Sequence, residues 1–569
     1  MKKPIYILGT GLSHDGSTCL MKDGKIVVAI EKERITKKKH DGFNDNLTVQ
    51  YCLDAAGIGF KDIDLVVEKC TVNLEHDKDD IQKRKGRIIP KDIPTVKISH
   101  HIAHAYSAIG TSPYDEMGIV VMDGRGASLD NCIDINDGIL PEEIRKLPSE
   151  QKCHYFENQS YYTYENGKMV TRYKDFSKYR VNDRSKYPLS PNDLEHSIAE
   201  LYGGASQYIF GRDFTEGKLM GLAPYGRKNV YKEDLFIKKR GRVFIDYNVI
   251  RKVDPLKSSK YLEFWTNFSY YADIAYWVQY STEKAVKYLF EYFYNLKPMN
   301  NFAYAGGLGL NCVINGKIVS NPKFRNLYIQ PAAGDNGLAI GCCYYGWLEV
   351  LKKEKVQNNK NTYLGMAYNK QVISASLNKY DKYIIFKKCN DYIKIIANKI
   401  AQGEVIGWFQ GESEFGPRAL GHRSILADPR NKKMKDYINK EIKLREEFRP
   451  FAPSVLEEDL KVYFDVDYDS SPYMLLAGNI RKEWGKKLPA VVHIDGSSRI
   501  QTVNKNNSEK YYELLNEFKK ITKIGILLNT SFNGRNMPIV ENPDDAINFF
   551  LNSKIDTLVI DDYIIEKRS

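Results

Sequence analysis

The sequence predicts an α/β protein of two domains, and three observations carry that prediction. Short apolar runs ending in glycine turns occur twice in the first 350 residues. They are Pro4–Leu8 before Gly9-Thr-Gly11, and Gly118–Met122 before Asp123-Gly124-Arg125-Gly126. The polar stretch Lys352–Thr362 (KKEKVQNNKNT) has the composition of a linker. Beyond it, strand-like and helical runs alternate, the pattern of an α/β layer. A chain of 569 residues accommodates at least two hydrophobic cores, at roughly 100–200 residues per domain.

Taken in order, Ser17–Met21 and Ile26–Ile30 flank Asp23-Gly24, a tight-hairpin signal, and helical spacing follows over Asn46–Ala56. Strand, glycine turn and repeated hairpin resemble the actin and sugar-kinase architecture, in which two related halves hold a nucleotide. Residues 127–198 read as an excursion with little helical periodicity and one hairpin, Tyr161–Tyr164 and Lys168–Tyr173 around Glu165-Asn166-Gly167. Tyr155, Tyr161, Tyr162, Tyr164, Tyr173, Tyr179 and Tyr187 interleave there with Lys168, Arg172, Lys174, Lys178, Arg180, Arg184 and Lys186. Such interleaving suits stacking on nucleic-acid bases, or a β-rich insertion whose long side chains lie along apolar surface. Lys83-Arg84-Lys85-Gly86-Arg87 is a second basic run. Helical spacing returns over Leu194–Ile209 and Tyr271–Leu296, and the strand Phe302–Ala305 enters another glycine turn. After the linker, Val405–Phe409, Ile524–Leu528 and Thr557–Ile560 read as strands, Tyr392–Ile400 and Pro543–Leu551 as helices. A first domain is thus expected over 1–355, with an insertion near 127–198, and a second over 363–569.

Composition removes several classes. With 43% hydrophobic and 27% charged residues the chain is not mainly disordered. No run of about 18 apolar residues predicts a membrane span. The apolar run near Pro4 is too short for the core of a signal peptide and reads as a strand. Nine scattered cysteines without a CxxC pair fit reduced thiols of a cytoplasmic protein and carry no zinc signature. A net charge of +12 permits an anionic partner without requiring one.

Four constellations carry chemistry. His100 and His104 stand at i, i+4, so on a helix they share one face. With Asp123 and Asp335, each in a glycine-bounded turn, they suit a divalent ion such as Fe(II), Mn(II) or Zn(II); hydrogen-bonded helix histidines are the alternative. Gly306-Gly307-Leu-Gly-Leu-Asn311 follows a strand, where backbone N–H groups approach a phosphate and Asn311 a ribose or phosphate oxygen. Glu216–Gly226 is a glycine-punctuated loop of either functional or structural meaning. Arg418 and Arg423 lie in a glycine-rich turn, with Lys443, Arg445, Arg449, Arg499, Ser531 and Asn533 beyond. Guanidinium forks bind phosphate and carboxylate in bidentate fashion, whereas surface ion pairs with Glu441, Glu446 and Glu447 would absorb Arg445 in particular.

The motifs GLSHDGS, KKKHD, HHIAHAYSA, VVMDGRG, EGKLMGLAPYG, GGLGLNCVINGK, QPAAGDNGLAIG, GPRALGHRSILADPR, KLREEFRPFAPS, HIDGSSRIQTV and LNTSFN run from Gly11 to Asn533. Together they resemble the O-carbamoyltransferase family of nodulation-factor and antibiotic biosynthesis. The resemblance implies an N-terminal actin-like domain, similar to tRNA threonylcarbamoyl-transfer enzymes, and a C-terminal domain similar to threonylcarbamoyl-AMP synthase. It implies that the C-terminal domain makes carbamoyl-adenylate and pyrophosphate from carbamoyl phosphate and ATP, with Mg(II). The carbamoyl group then moves to an acceptor hydroxyl at the N-terminal site, releasing AMP. By the same resemblance Arg418, Arg423, Lys443, Arg449, Arg499, Ser531 and Asn533 bind ATP and carbamoyl phosphate. His100, His104, Asp123 and Asp335 match iron ligands, and His14 a general base. Gly306, Gly307 and Asn311 are candidates for a second nucleotide or intermediate site. The segment between Asp123 and Glu216 looks longer than the family usually carries, and Arg125 is unexpected; both leave the acceptor open. A sugar or natural product is the first expectation and a hydroxymethylated pyrimidine in DNA the second. A non-catalytic nucleic-acid-binding module is the third.

Overall fold

Asp23 and Gly24 both take positive φ, 49° and 80°, the left-handed pair that a two-residue type I′ turn demands. The computed structural model describes residues 3–42, 44–69, 87–135, 139–180, 183–190, 193–357 and 362–568. It divides into two units. The first comprises Met1–Lys25, Phe43–Asn46 and Gly59–Asn358; the second comprises Ile26–Gly42, Leu47–Ile58 and Asn359–Ser569.

In the first unit, β1 (Tyr6–Gly11) pairs antiparallel with β2 (Ser17–Lys22); β3 (Lys25–Glu31), which follows the turn, belongs from Ile26 onward to the second unit. β1 also pairs parallel with β4 (Leu65–Lys69), which pairs parallel with β5 (Thr95–Ile98). The plan then repeats. β6 (Met117–Met122) pairs antiparallel with β7 (Tyr155–Glu165), whose hairpin partner is β8 (Lys168–Lys178). After the ribbon β9 (Phe236–Lys239) and β10 (Arg242–Ile245), β11 (Phe302–Ala305) pairs parallel with both β6 and β12 (Leu327–Ile329). One antiparallel neighbour and two successive parallel ones, twice over, is the duplicated actin-like plan expected from the sequence. Strands β4, β6 and β11 are buried throughout; β6 and β11 accordingly read as almost unbroken apolar runs, while β4 ends in the buried charges Glu68 and Lys69.

The 127–198 segment extends the second sheet, in the order β12-β11-β6-β7-β8. Asn166 and Gly167, at φ 52° and 71°, make the β7–β8 turn. Tyr161, Tyr162, Tyr164 and Tyr173 are core residues. Tyr161 stacks on Phe293 at 5.2 Å, and Tyr173 meets Tyr292 edge-on at 5.7 Å. Both partners belong to the long helix Phe268–Leu296. Arg172 pairs with Glu165 (3.2 Å), Arg180 with Glu195 (3.3 Å), and Lys174 is fully buried between Asp134 and Glu157. These rings are unavailable to bases, which corrects the stacking-platform reading. Lys83–Gly86 lies outside the described residues; Arg87 pairs with Glu68 and approaches Asp45 at 3.6 Å.

Two helices of this unit cross at unusually short range. A Cβ on Gly341, in Leu338–Tyr345, would lie 1.7 Å from the carbonyl oxygen of Ala103, in His100–Thr111. A Cβ on Gly110 would lie 2.0 Å from the Tyr344 ring. Glycine at both positions lets the histidine-bearing helix rest against the helix that follows Asp335.

Ten strands of the second unit form one sheet, beginning with β13 (Ile384–Lys388), β14 (Ile406–Phe409), β15 (Arg423–Ala427) and β16 (Ala452–Leu456). Next come β17 (Phe464–Asp465), β18 (Leu476–Ile480) and β19 (Ser497–Val503). The last are β20 (Ile526–Ser531), β21 (Thr557–Ile560) and β22 (Tyr563–Lys567). Their order is β13-β22-β21-β14-β15-β20-β16-β19-β18-β17. The core unites Ile396 and Ile400 of one helix, Leu514 and Phe518 of another, and Trp408, Leu426, Leu527 and Val559 from the sheet. The early segment Ile26–Gly42 is part of this unit. The Ala29 N–H donates to Leu364 O (2.7 Å), and the Gly416 N–H donates to Glu31 Oε1 (2.6 Å). Arg34 donates to Gly416 O (2.7 Å) and pairs with Glu31 at 2.8 Å. Among the described residues no helix is long and apolar enough to cross a membrane.

The helix crossing yields a stability prediction. Gly341→Ala overpacks a backbone contact and is expected to cost roughly 1–3 kcal/mol or more. Chemical denaturation of the full chain measures it; an unchanged midpoint would refute the close crossing.

Candidate functional site

The first cluster lies in the first unit. Burial along His100–Thr111 is nearly complete, so both imidazoles of the i, i+4 pair face protein. The Nε2 atoms of His100 and His104 lie 3.0 Å apart. His100 Nε2 is 3.1 Å from Asp123 Oδ2 and 3.3 Å from Asp335 Oδ1, which is also 3.6 Å from His104 Nε2. One ligand atom from each of the four residues falls within 4.8 Å of the others. The Nδ1 atoms of both histidines are buried without a hydrogen-bond partner. With the protons on Nδ1, two nitrogen lone pairs and two carboxylates converge on one point. That donor set fits a divalent cation. The middle histidine of the motif turns elsewhere: His101 Nδ1 lies 2.7 Å from Ser160 Oγ on β7, and burial holds its pKa down near 3.

The turn Gly306–Asn311 supports this cluster. Gly306 sits at φ 93°, where a Cβ would meet Met122 O at 2.2 Å. The Gly307 N–H donates to Asp123 Oδ1 at 2.8 Å. Asn311 caps the helix Cys312–Val319, accepting from the Ile314 N–H (3.2 Å), and donates to Gln279 (3.0 Å). In this arrangement these groups are engaged by protein and support the cluster. Arg125 faces Asp193 at 2.5 Å.

His14, 46% exposed, approaches Asp335 Oδ2 at 3.6 Å and Asp15 at 3.3 Å, with the Phe214 ring centroid 5.1 Å away. Burial lowers its pKa, but Asp335, then Asp15 and Asp123, outweigh that and raise it to about 9. Burial also opposes ionisation of Asp335, yet His100 and His14 hold its carboxyl well below the usual range.

The second cluster lies in the second unit. Lys443 Nζ donates to Ser531 O (2.7 Å), Asn533 O (2.8 Å) and Asn533 Oδ1 (2.5 Å). Burial, then Arg445, Arg449 and Lys39, push its pKa well below that of an ordinary lysine. Arg445 is likewise depressed by burial, then by Arg449 and Arg499. Lys39, Lys443, Arg445, Arg449 and Arg499 therefore form one group of mutually repelling cations. Glu446 reaches Arg449 only at 3.7 Å, and Glu441 pairs with Lys554 at 2.6 Å instead. Arg445 donates to Asn439 (2.7 Å) and lies over Phe451, so the ion-pair reading expected for it is wrong. Lys39 lies in the KKKHD motif, and its spacing in the sequence gives no sign that it reaches this cluster.

Arg423 is different. It is fully buried over Phe409 and donates to the carbonyls of Gln410, Gly411, His422 and Glu541. Each of these bonds goes to a backbone carbonyl, which gives its guanidinium a structural part in this loop. Arg418 lies partly exposed on the turn that Glu31 and Arg34 brace at Gly416. Glu414 Oε1 completes the brace by accepting the N–H groups of Leu420 (2.7 Å), His422 (2.8 Å) and Arg423 (3.2 Å).

The carbamoyltransferase N-terminus family model matches residues 6–83 and 78–344, and the carbamoyltransferase C-terminus model matches 397–567. An uncharacterized protein of Synechocystis sp. is 33% identical over 99% of this chain and 97% of its own length. The nodulation protein NolNO of Sinorhizobium fredii is 30% identical over 98% of this chain and 79% of its own. The solved structure of full-length HypF in its phosphate- and nucleotide-bound form is 14% identical. It covers 61% of this chain and 56% of its own, at a TM-score of 0.37.

Two predictions follow from these charges. In the metal-free chain His14 has a raised pKa, so its stabilising effect is complete below pH 6.5 and is lost as pH rises to about 9. Denaturation midpoints of wild type and His14→Ala should converge across that window; equal separation at pH 6 and pH 9.5 would refute the assignment. In the second unit, Arg445→Met should weaken triphosphate binding by roughly 10–100-fold, the worth of one charge-assisted hydrogen bond. Arg423→Met should instead lower the unfolding midpoint. Calorimetric titration with a non-hydrolysable ATP analogue, paired with denaturation, separates the two.

Proposed function

The chain belongs to the carbamoyltransferase family, and on that premise we propose that it is an O-carbamoyltransferase working through carbamoyl-adenylate. The carrying observation is the contrast between the two clusters. One unit gathers two imidazoles and two carboxylates; the other sets the buried Lys443 and its neighbour Arg445 beside further cations that push both pKa values down. Cations that depress one another's pKa are stabilised by an arriving polyanion.

In the second unit Lys443, Arg445, Arg449 and Arg499, with Ser531 and Asn533, bind ATP and carbamoyl phosphate, with Mg(II) accompanying the nucleotide. The arginine forks neutralise phosphate oxygens and the charge that develops as pyrophosphate departs. Arg423 and Glu414 hold the loop that carries Arg418. Atom balance makes the products carbamoyl-adenylate, pyrophosphate and inorganic phosphate, from carbamoyl phosphate, ATP and water.

In the first unit the acceptor hydroxyl attacks the carbamoyl carbon and AMP leaves. His100, His104, Asp123 and Asp335 would hold a divalent metal, Fe(II) by family resemblance, which when bound supplies Lewis acidity toward a carbonyl oxygen. His14 takes the hydroxyl proton at its imidazole. A cation held by Asp123 and Asp335 would offset two of the carboxylates that otherwise keep His14 protonated. A sugar or natural product is the proposed acceptor; the buried tyrosines of the 127–198 segment lend no support to DNA.

Labelled carbamoyl phosphate, ATP and a panel of hydroxylated acceptors test the reading. His100→Ala should lower transfer roughly 10³-fold, from loss of several kcal/mol of charge stabilisation. ATP–pyrophosphate exchange dependent on carbamoyl phosphate should persist in that variant. Absence of such exchange in the wild type would reject the adenylate route.

A further inference from the structure

We propose that Glu157, neutralised by Lys174, is the positioning residue of the metal centre. It fixes the two chain segments that deliver His100, His104 and Asp123. The inference rests on the reading of those residues as metal ligands.

The geometry begins at the helix His100–Thr111. Its N-cap residue, Ser99, makes no side-chain cap, so the first-turn N–H groups need another acceptor. Glu157 Oε2, from β7, accepts the His101 N–H at 3.2 Å. The same oxygen accepts the Ala127 N–H at 2.9 Å, four residues beyond Asp123. The backbone adds two bonds, from the Gly126 N–H to Glu157 O (2.8 Å) and from the Glu157 N–H to Ala127 O (2.9 Å). A Cβ on Gly126 would lie 2.6 Å from Glu157 Oε2 and 3.0 Å from the His101 ring, so glycine is required for this approach. One carboxylate oxygen thus bridges the residue after His100 and the turn after Asp123. His101 adds a further tie to β7 through Ser160.

The other carboxylate oxygen is taken by Lys174 on β8, which also donates to Asp134 Oδ1 at 2.7 Å. Glu157 and Lys174 are both completely buried. A lone buried carboxylate would be costly, and the ammonium removes that cost while leaving Oε2 to the two N–H groups. Cys132, Asp134 and Glu157 have donor atoms close enough to hold a cation themselves, but the Lys174 ammonium already bonds both carboxylates. The cluster is therefore a brace with an internal counter-ion, not a second metal site. Every member comes from the 127–198 excursion. Loss of a group that orients metal ligands in this way typically lowers metal affinity by about 10–100-fold.

The test uses the full-length, metal-stripped chain titrated with Co(II), read by its visible absorption band and by chelator competition. Glu157→Ala should weaken Co(II) binding by about 10–100-fold and alter the band. The triple variant Glu157→Gln, Asp134→Asn and Lys174→Met keeps an oxygen acceptor in a neutral cluster, and should restore affinity to within about threefold of wild type. Wild-type affinity in Glu157→Ala overturns the proposal, as does a triple variant as weak as Glu157→Ala. Should Glu157→Ala not fold, the triple variant decides alone: affinity more than about tenfold below wild type overturns the proposal. His100→Ala separates the two readings. If wild type binds Co(II) and His100→Ala does not, the metal assignment stands whatever Glu157 does. If wild type binds none, both fall together.

Discussion

Two imidazole Nε2 atoms 3.0 Å apart, with carboxylate oxygens from two other segments within 3.6 Å, must share one proton among them or a cation. The first unit is arranged around that requirement. Its duplicated sheet ends β6 at Asp123 and leads, through β12 and a glycine turn, to Asp335. Gly341 and Gly110 let the histidine-bearing helix lie close enough for the four groups to meet. The Gly307 N–H fixes Asp123, and Glu157 ties the loop beyond Asp123 to the helix start. The same charges set His14: two carboxylates that could coordinate a cation are those that raise its pKa.

Buried glutamates organise both units by one physical device. Glu157 gathers backbone N–H groups of the ligand-bearing segments, Glu414 gathers three from the loop ending at Arg423, and Glu31 takes that of Gly416. A carboxylate offers several lone pairs in a fixed plane, so it can satisfy loop N–H groups that no sheet or helix reaches. Lys174 and Arg34 supply the compensating charges from inside the fold. Lys443 and Arg445 stand instead beside further cations, Arg449 and Arg499, and this separates them from the structural arginine, Arg423.

The sheets were legible because their central strands are apolar runs and their turns carry Asp-Gly and Asn-Gly. The four-residue cluster was legible from the i, i+4 histidines and two glycine-bounded aspartates. Other features depend on contacts that local sequence does not encode. Glu31 reaches Gly416 across 385 positions, so the early segment gives no sign that it packs with the second unit. Arg423 and Arg445 both stand near glycine or acidic residues, and only burial reveals which guanidinium holds carbonyls and which meets other cations. The tyrosines of 127–198 alternate with lysine and arginine as a nucleic-acid surface would. In the fold, Tyr161, Tyr162 and Tyr164 of β7 and Tyr173 and Lys174 of β8 point into protein, whereas Tyr179 stays 40% exposed.

The account stands on the cation that the four converging side chains are built to receive. X-ray absorption of the full-length chain loaded with one equivalent of Fe(II) or Co(II) reports its ligands directly. Two imidazole nitrogens and carboxylate oxygens, lost together in His100→Ala, are the predicted shell. A sulfur ligand, or a spectrum unchanged by that substitution, would contradict it.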